Sequence, residues 1–305
     1  MTVPPAPSPR TLAAGRLRAN RPALLGAAVL AVSVSLALAA PLIAALTGHE
    51  VQAVDLSNRF AAPSGEHLLG TDELGRDVAL RLIFGARISL AVGLIAALAS
   101  GLLGAALGVV AGYYGGALDD ALMRLADILL ALPLLPVLIV LAAVDAGKLG
   151  LPEWDGEGGD LARLVTIIAL FGWPSVARLV RGVTLSLKQR DFVRAARALG
   201  ASPARLMLRH ILPNAASPAI VATTLLAGQA ILFESVLSFL GLGIQPPRAS
   251  WGGMLTGAQD LVWSAPMLVI YPGAAIFASV LALNFLGDGL QDALDPRADE
   301  NRRRR

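Results

Sequence analysis

Long apolar runs alternate with short polar segments along the chain, and that alternation predicts its elements. Runs at residues 22–48, 88–118, 123–144, 161–179, 211–233 and 261–287 are almost free of charge. Each has about the 20 residues with which a helix crosses the roughly 30 Å hydrocarbon core of a bilayer. The pattern predicts an all-α integral membrane protein with six transmembrane helices. The first run, 27 residues long, exceeds the roughly 7–15 residue apolar core of a secretory signal, so it reads as an uncleaved span.

The intervening segments read as follows. Residues 1–21 form an N-terminal tail, opening on the proline-rich, aperiodic MTVPPAPSPR, which predicts disorder. Residues 49–87 are polar, with Pro63, Gly65, Gly70 and Gly75 as turn formers and the sequence GTDELGRD at 70–77. In the second run Gly93, Gly101, Gly104, Gly108 and Gly112 recur at helical spacings, which predicts one flank of small residues open to close approach by another helix. Pro133 and Pro136 predict a kink in the third run. Residues 145–160 read as an acidic, glycine-containing loop, and Arg163 and Arg178 snorkel at the ends of the fourth run. Trp263 and Tyr271 suit interfacial positions on the sixth. Residues 88–290 make the core domain, and 291–305 a charged tail.

The most polar interval between two spans is 188–213, KQRDFVRAARALGASPARLMLRHILP. Phe192, Ala195, Ala196 and Leu199 fall at i, i+3, i+4 and i+7, so they share one helical face, with Arg190, Arg194 and Arg197 off it. Gly200 interrupts that helix. Ser202 followed by Pro203 is an N-cap with proline at the first helical position, starting a second short helix through Leu206 and Leu208 towards Pro213. Two short helices meeting at a glycine corner make a bent element that receives force and moves the spans.

Composition agrees with this reading. Residues are 55% hydrophobic and 15% charged, with a mean hydropathy of +0.66, against about 25% charged in soluble domains. Cysteine is absent and His49, His67 and His210 all lie outside the apolar runs, which excludes disulfides and argues against haem or metal ligation at depth. With both termini cytoplasmic, only Arg59, Arg76, Arg81, Arg87, Lys148, Arg163 and Arg248 of the 25 basic residues fall outside. The positive-inside rule therefore puts residues 188–213 in the cytoplasm.

Chemistry can be narrowed further. The central thirds of the six runs lack charge, and only Asp127 and Glu234 stand near run ends. That argues against a proton- or sodium-coupled carrier, which buries ionisable groups near the midplane. An intramembrane protease lacks its catalytic group for the same reason. The lone Gly147-Lys148 pair continues into Leu149, so no phosphate-binding G-x-x-x-x-G-K-[ST] loop exists and ATP work belongs to a partner. Asp127 reads as an ion-pair partner of Arg124 or Arg178.

At this point the residues carry a resemblance. Arg194, Ala195, Ala196, Gly200, Leu212 and Pro213 match the E-A-A, three residues, G, then L-P pattern of the loop found in permeases of ATP-binding-cassette importers. GTDELGRD, AGYYGG, ILPN, SFLGLGIQPP, SWGGML and LGDGLQDALDPR occur in order between residues 70 and 297, and from about residue 12 to 297 the chain resembles the second permease of dipeptide, oligopeptide and nickel importers. The resemblance implies the type I importer permease fold and a non-catalytic subunit in the bacterial cytoplasmic membrane. It implies a second, homologous permease, two ATP-binding subunits seated on 188–213, an extracytoplasmic substrate-binding protein, and no cofactor held by this chain. Asp191, Phe192, Arg194, Ala195, Ala196, Leu199, Gly200, Ser202, Pro203, Leu206 and Pro213 are then the coupling residues. The family's glutamate is Arg194 here, a reversal of charge, and Asp191 three residues earlier is a candidate displaced carboxylate. Glu234 either lines a substrate vestibule and meets a peptide amine, or is a solvated or helix-capping carboxylate. Nickel, another small solute, or ion-coupled transport are the alternative readings of function.

Overall fold

The computed structural model describes residues 9–144 and 158–294. Residues 1–8, 145–157 and 295–305, among them most of the expected acidic loop and the Arg302–Arg305 cluster, lie outside the described residues. Among the described residues the regular structure is helical, apart from one isolated bridge between Thr71 and Asp77, and the longest non-helical stretches are 48–77, broken by one short turn of helix, and 240–250. The N-terminal tail contains a helix, α1 (Pro9–Ala19), which takes in the last two residues of the MTVPPAPSPR stretch and continues beyond it; it packs on the last helix, and Arg16 donates to the Ala293 carbonyl at 3.5 Å.

Among the described residues five helices are long and apolar enough to cross a membrane: α2 (Arg21–Thr47), α3 (Val78–Tyr114), α6 (Gly159–Leu187), α8 (Pro203–Phe239) and α11 (Met267–Leu294). A sixth crossing is formed if α4 (Gly116–Ala131) and α5 (Leu134–Ala143), bent by 88° at the break between them, count as one broken span. Pro133 sits at the N-cap of α5, and its ring and missing N–H break the ladder there. The kink is thus a right-angled elbow.

Several boundaries differ from the sequence reading because polar ends extend helices past their apolar centres. α3 starts ten residues before residue 88, where Asp77 accepts from the Leu80 N–H at 2.8 Å. Asp72 draws the preceding turn together, accepting from the Leu74 and Arg76 N–H groups at 2.9 and 3.0 Å and from Arg76 Nε at 2.7 Å. The GTDELGRD sequence is therefore a turn followed by a helix cap. At the other extreme, the run 261–287 divides: after the one-turn α9 (Trp251–Met254), α10 (Ala258–Ser264) carries Trp263, 90% exposed, and α11 starts after Pro266.

α3, α6 and α8 form the centre, with α2 and α11 packed outside them. The α3–α6 contact is the most extensive in the molecule. A Cβ on Gly104 would stand 2.6 Å from the Trp173 carbonyl oxygen, and one on Gly108 2.5 Å from that of Ala177. Gly93 and Gly101 instead face Ile231 and Thr223 of α8. The small residues thus serve two flanks rather than one, and α3 is clasped on both sides.

Candidate functional site

The candidate coupling element stands where α6 ends and α8 begins. α7 (Asp191–Ala198) is separated from α6 by a tight turn and carries one fully buried side chain, Val193. It packs on the segment Leu206–Ile211, in which Leu206 and Ile211 are also buried. The predicted stripe points the other way: Phe192 is 45% and Leu199 89% exposed. Asp191, Arg194 and Ala195 are exposed and Ala196 is partly covered. α7 is therefore anchored by a residue that the i, i+3, i+4, i+7 pattern passed over, and it offers its apolar stripe to solvent.

Gly200 closes α7 in the left-handed region, φ +83°. Its N–H bonds to the Arg197 carbonyl at 3.0 Å and that of Ala201 to Ala196 at 3.1 Å, a Schellman stop. Ser202 caps the next helix, its hydroxyl accepting from the Arg205 N–H at 3.4 Å, with Pro203 at the first position. That next helix is not a second short piece. It runs into the fifth span without interruption, through a π-helical turn, Leu206–Ile211, in which the Leu212 N–H bonds to the Met207 carbonyl. Pro213 explains the wider turn, because in regular α register its ring would collide with the carbonyl of Arg209. Displacing the elbow therefore moves a helix that reaches the far side of the bundle.

Three contacts brace the base of this element. Lys188 Nζ donates to the Gly112 carbonyl at 2.8 Å, satisfying one of the orphan acceptors of the last turn of α3. Arg181 grips Asp119 with two hydrogen bonds of 2.5 and 2.6 Å. The Arg197 guanidinium lies 5.6 Å from the centre of the Tyr113 ring. Asp127 pairs with Arg178 at 3.4 Å, both exposed, one of the two partners its sequence position suggested. The AGYYGG and KQR sequences were the visible signals; that they meet was not.

Glu234 departs from both sequence readings. α8 continues to Phe239, and the Glu234 side chain is 0% exposed, neither lining a vestibule nor solvated nor capping a terminus. A polar cleft of about 440 Å³ does open nearby, lined by Asp72, Arg76, Gln245 and Arg248 among others, but Glu234 is not part of its wall. Its carboxylate accepts from Ser89 at 2.9 Å and from Ser238 at 2.7 Å. Those same hydroxyls accept backbone N–H groups of the returning segment, Trp251 onto Ser89 at 3.2 Å and Ile244 onto Ser238 at 3.1 Å. Each serine has one O–H, which it donates to the Glu234 side chain, and this leaves the hydroxyl lone pairs free to accept from the loop. Trp251 completes the attachment by donating Nε1 to the Leu82 carbonyl at 3.0 Å.

Glu234→Leu is expected to detach this segment. Each hydroxyl left without its acceptor costs about 1–3 kcal/mol, so amide exchange at Ile244 and Trp251 should accelerate at least tenfold. Glu234→Gln, which keeps one acceptor oxygen, should accelerate it less. Unchanged exchange in the leucine variant would remove the carboxylate from this role. Ser238 lay in the SFLGLG sequence, Trp251 in SWGGML and Ser89 in the second apolar run, but nothing in their spacing showed that they meet around one side chain.

Residues 104–300 match the family of binding-protein-dependent transport system inner membrane components. A dipeptide transport system permease of Alkalihalophilus pseudofirmus is 39% identical over 290 residues, covering 95% of this chain and 90% of that protein. A glutathione transport system permease of Pectobacterium atrosepticum is 43% identical over 235 residues, 77% of this chain and 74% of the relative. A putative peptide transport system permease of Brucella abortus is 40% identical over 290 residues, covering 95% and 93%. Together with the clasped bundle of membrane-crossing helices and the exposed elbow that α8 carries, these likenesses establish the chain as a member of the binding-protein-dependent transport permeases, the inner membrane components of such systems.

Proposed function

We propose that the protein forms one half of the translocation pathway of an ATP-driven importer of di- and oligopeptides. The observation that carries this reading is the elbow at 191–205. It is exposed, stopped by Gly200, and continuous with a spanning helix, in a chain that has no phosphate-binding loop of its own. Two ATP-binding subunits seat on the elbow, a homologous permease supplies the other half, and an extracytoplasmic binding protein delivers substrate. ATP is bound by those partners; this chain holds no cofactor and catalyses nothing. Closure of the ATPases pushes Asp191, Phe192, Arg194 and Leu199, and α8 transmits the push as rigid rocking against α3. The bundle sits in the bacterial inner membrane with both termini cytoplasmic, the orientation that places most arginines inside. Peptide as cargo is supported by the relatives, whose names specify dipeptide, glutathione and peptide transport.

The test is reconstitution in vesicles. The complete complex with binding protein and ATP is expected to accumulate labelled dipeptide, and omission of the ATPase subunits to stop it. Uphill uptake by this chain alone, driven by a proton or sodium gradient, would overturn the proposal.

A further inference from the structure

The elbow carries more positive charge than the protein itself balances. Between residues 188 and 211 there are six lysines and arginines and a single acid, Asp191. Lys188 and Arg197 are occupied by the Gly112 carbonyl and the Tyr113 ring. Arg190, Arg194, Arg205 and Arg209 are exposed, and among the described residues none of their guanidinium groups has an ion pair or hydrogen bond. Beside them stand Phe192 and Leu199, both open to solvent. Exposed aromatic and apolar groups flanked by unpaired arginines are what the centre and rim of a protein interface are made of.

We infer that the surface which receives α7 is acidic, and that it sets a carboxylate opposite Arg194. The inference rests on reading 188–213 as the docking element of the partner ATPase, and it names that partner's chemistry. A planar guanidinium takes a carboxylate in two parallel hydrogen bonds, and no group of this chain competes for Arg194. Anionic lipid would also answer positive charge, but the geometry disfavours it. α8 has 37 residues, about 55 Å of helix against roughly 30 Å of hydrocarbon. That leaves roughly 25 Å of helix to extend past the apolar layer at its two ends, and α7 packs on the first of these extensions, at Leu206–Ile211. Asp191, exposed at the first turn of α7, remains at the helix N-terminus, where a carboxylate is favoured in any case, rather than replacing the missing glutamate.

The experiment uses the complete complex, rebuilt both in neutral phosphatidylcholine vesicles and in vesicles containing phosphatidylglycerol. Arg194→Glu is expected to lower ATPase retention and ATP-driven dipeptide uptake at least tenfold in both lipids, with the variant inserted at normal levels. Arg194→Lys should keep most of the retention. Raising the salt concentration should weaken retention of the unmodified chain, and Arg194→Ala should flatten that dependence. A single acid-to-arginine change in the ATPase cleft should rescue Arg194→Glu. Unaltered retention by Arg194→Glu overturns the inference, as does a loss confined to phosphatidylglycerol vesicles, which would assign the charge to the membrane. In either case ATP-driven uptake by the unmodified complex persists. Failure of the underlying functional reading would instead show as uptake that ignores ATP.

Discussion

Gly200→Trp is expected to abolish ATP-driven uptake, by on the order of 100-fold, equivalent to about 2.7 kcal/mol of lost coupling, while the protein still inserts and retains its fold. Two effects combine. At φ +83° an L side chain pays about 1–3 kcal/mol of backbone strain, which relaxes by rotating α7 away from its Schellman stop. The indole then occupies the surface next to Leu199, where a partner must seat. Folding is spared because no atom lies within 4 Å of the Cβ that would be added, so no span has to shift. Gly200→Ala separates the two effects, since it has the strain without the bulk and should lose less. Radiolabelled dipeptide uptake by the reconstituted complex reads the result, with membrane levels as control. Normal uptake by the tryptophan variant would remove the elbow from the transport cycle.

Gly108→Val, in contrast, is expected to destroy the bundle itself. The added Cβ would meet the Ala177 carbonyl oxygen at 2.5 Å and the Val180 Cβ at 3.0 Å, and the first of these is backbone, which cannot rotate aside. Overpacking of a dense interior costs about 1–3 kcal/mol even where side chains can yield, and here the two helices must separate along the widest contact in the molecule. The loss is not offset by a hydrophobic gain, because lipid is as apolar as valine and membrane helices associate through close packing. The variant should fail to accumulate as a monodisperse protein in detergent. Gly182→Val provides the control: that glycine is on the exposed face of α6 with nothing within 4 Å of its Cβ. A stable, monodisperse Gly108→Val protein would show that α3 and α6 are not held together at this point.

Both predictions turn on glycines, and they illustrate two degrees of legibility. Gly200 was readable as a corner because a polar helix stopped there and Ser202-Pro203 started another. Gly108 was readable only as one of a series. Sequence spacing places small residues on a helix but does not say which neighbour uses each, and two neighbours, α6 and α8, divide the series between them. The coupling stripe shows the same boundary. Its helical spacing was legible, whereas Val193, one step away, became the buried anchor because the Leu206–Ile211 turn happens to cover that side.

Local chemistry sufficed for whatever depends on neighbours along the chain. The apolar runs required a membrane, and the arginine distribution and the missing phosphate loop are the grounds for the orientation and the nucleotide-binding partners proposed above, because each of these is a property of composition or of a contiguous motif. Tertiary contact decided the rest. Glu234 stood at the end of an apolar run and read as a residue of the outer surface; only the convergence of Ser89, Ser238 and the returning segment around it makes it a buried anchor. The elbow's second helix likewise read as a separate piece. Pro213 cannot break the helix once a π turn makes room for its ring, and so the elbow and the fifth span are one rod.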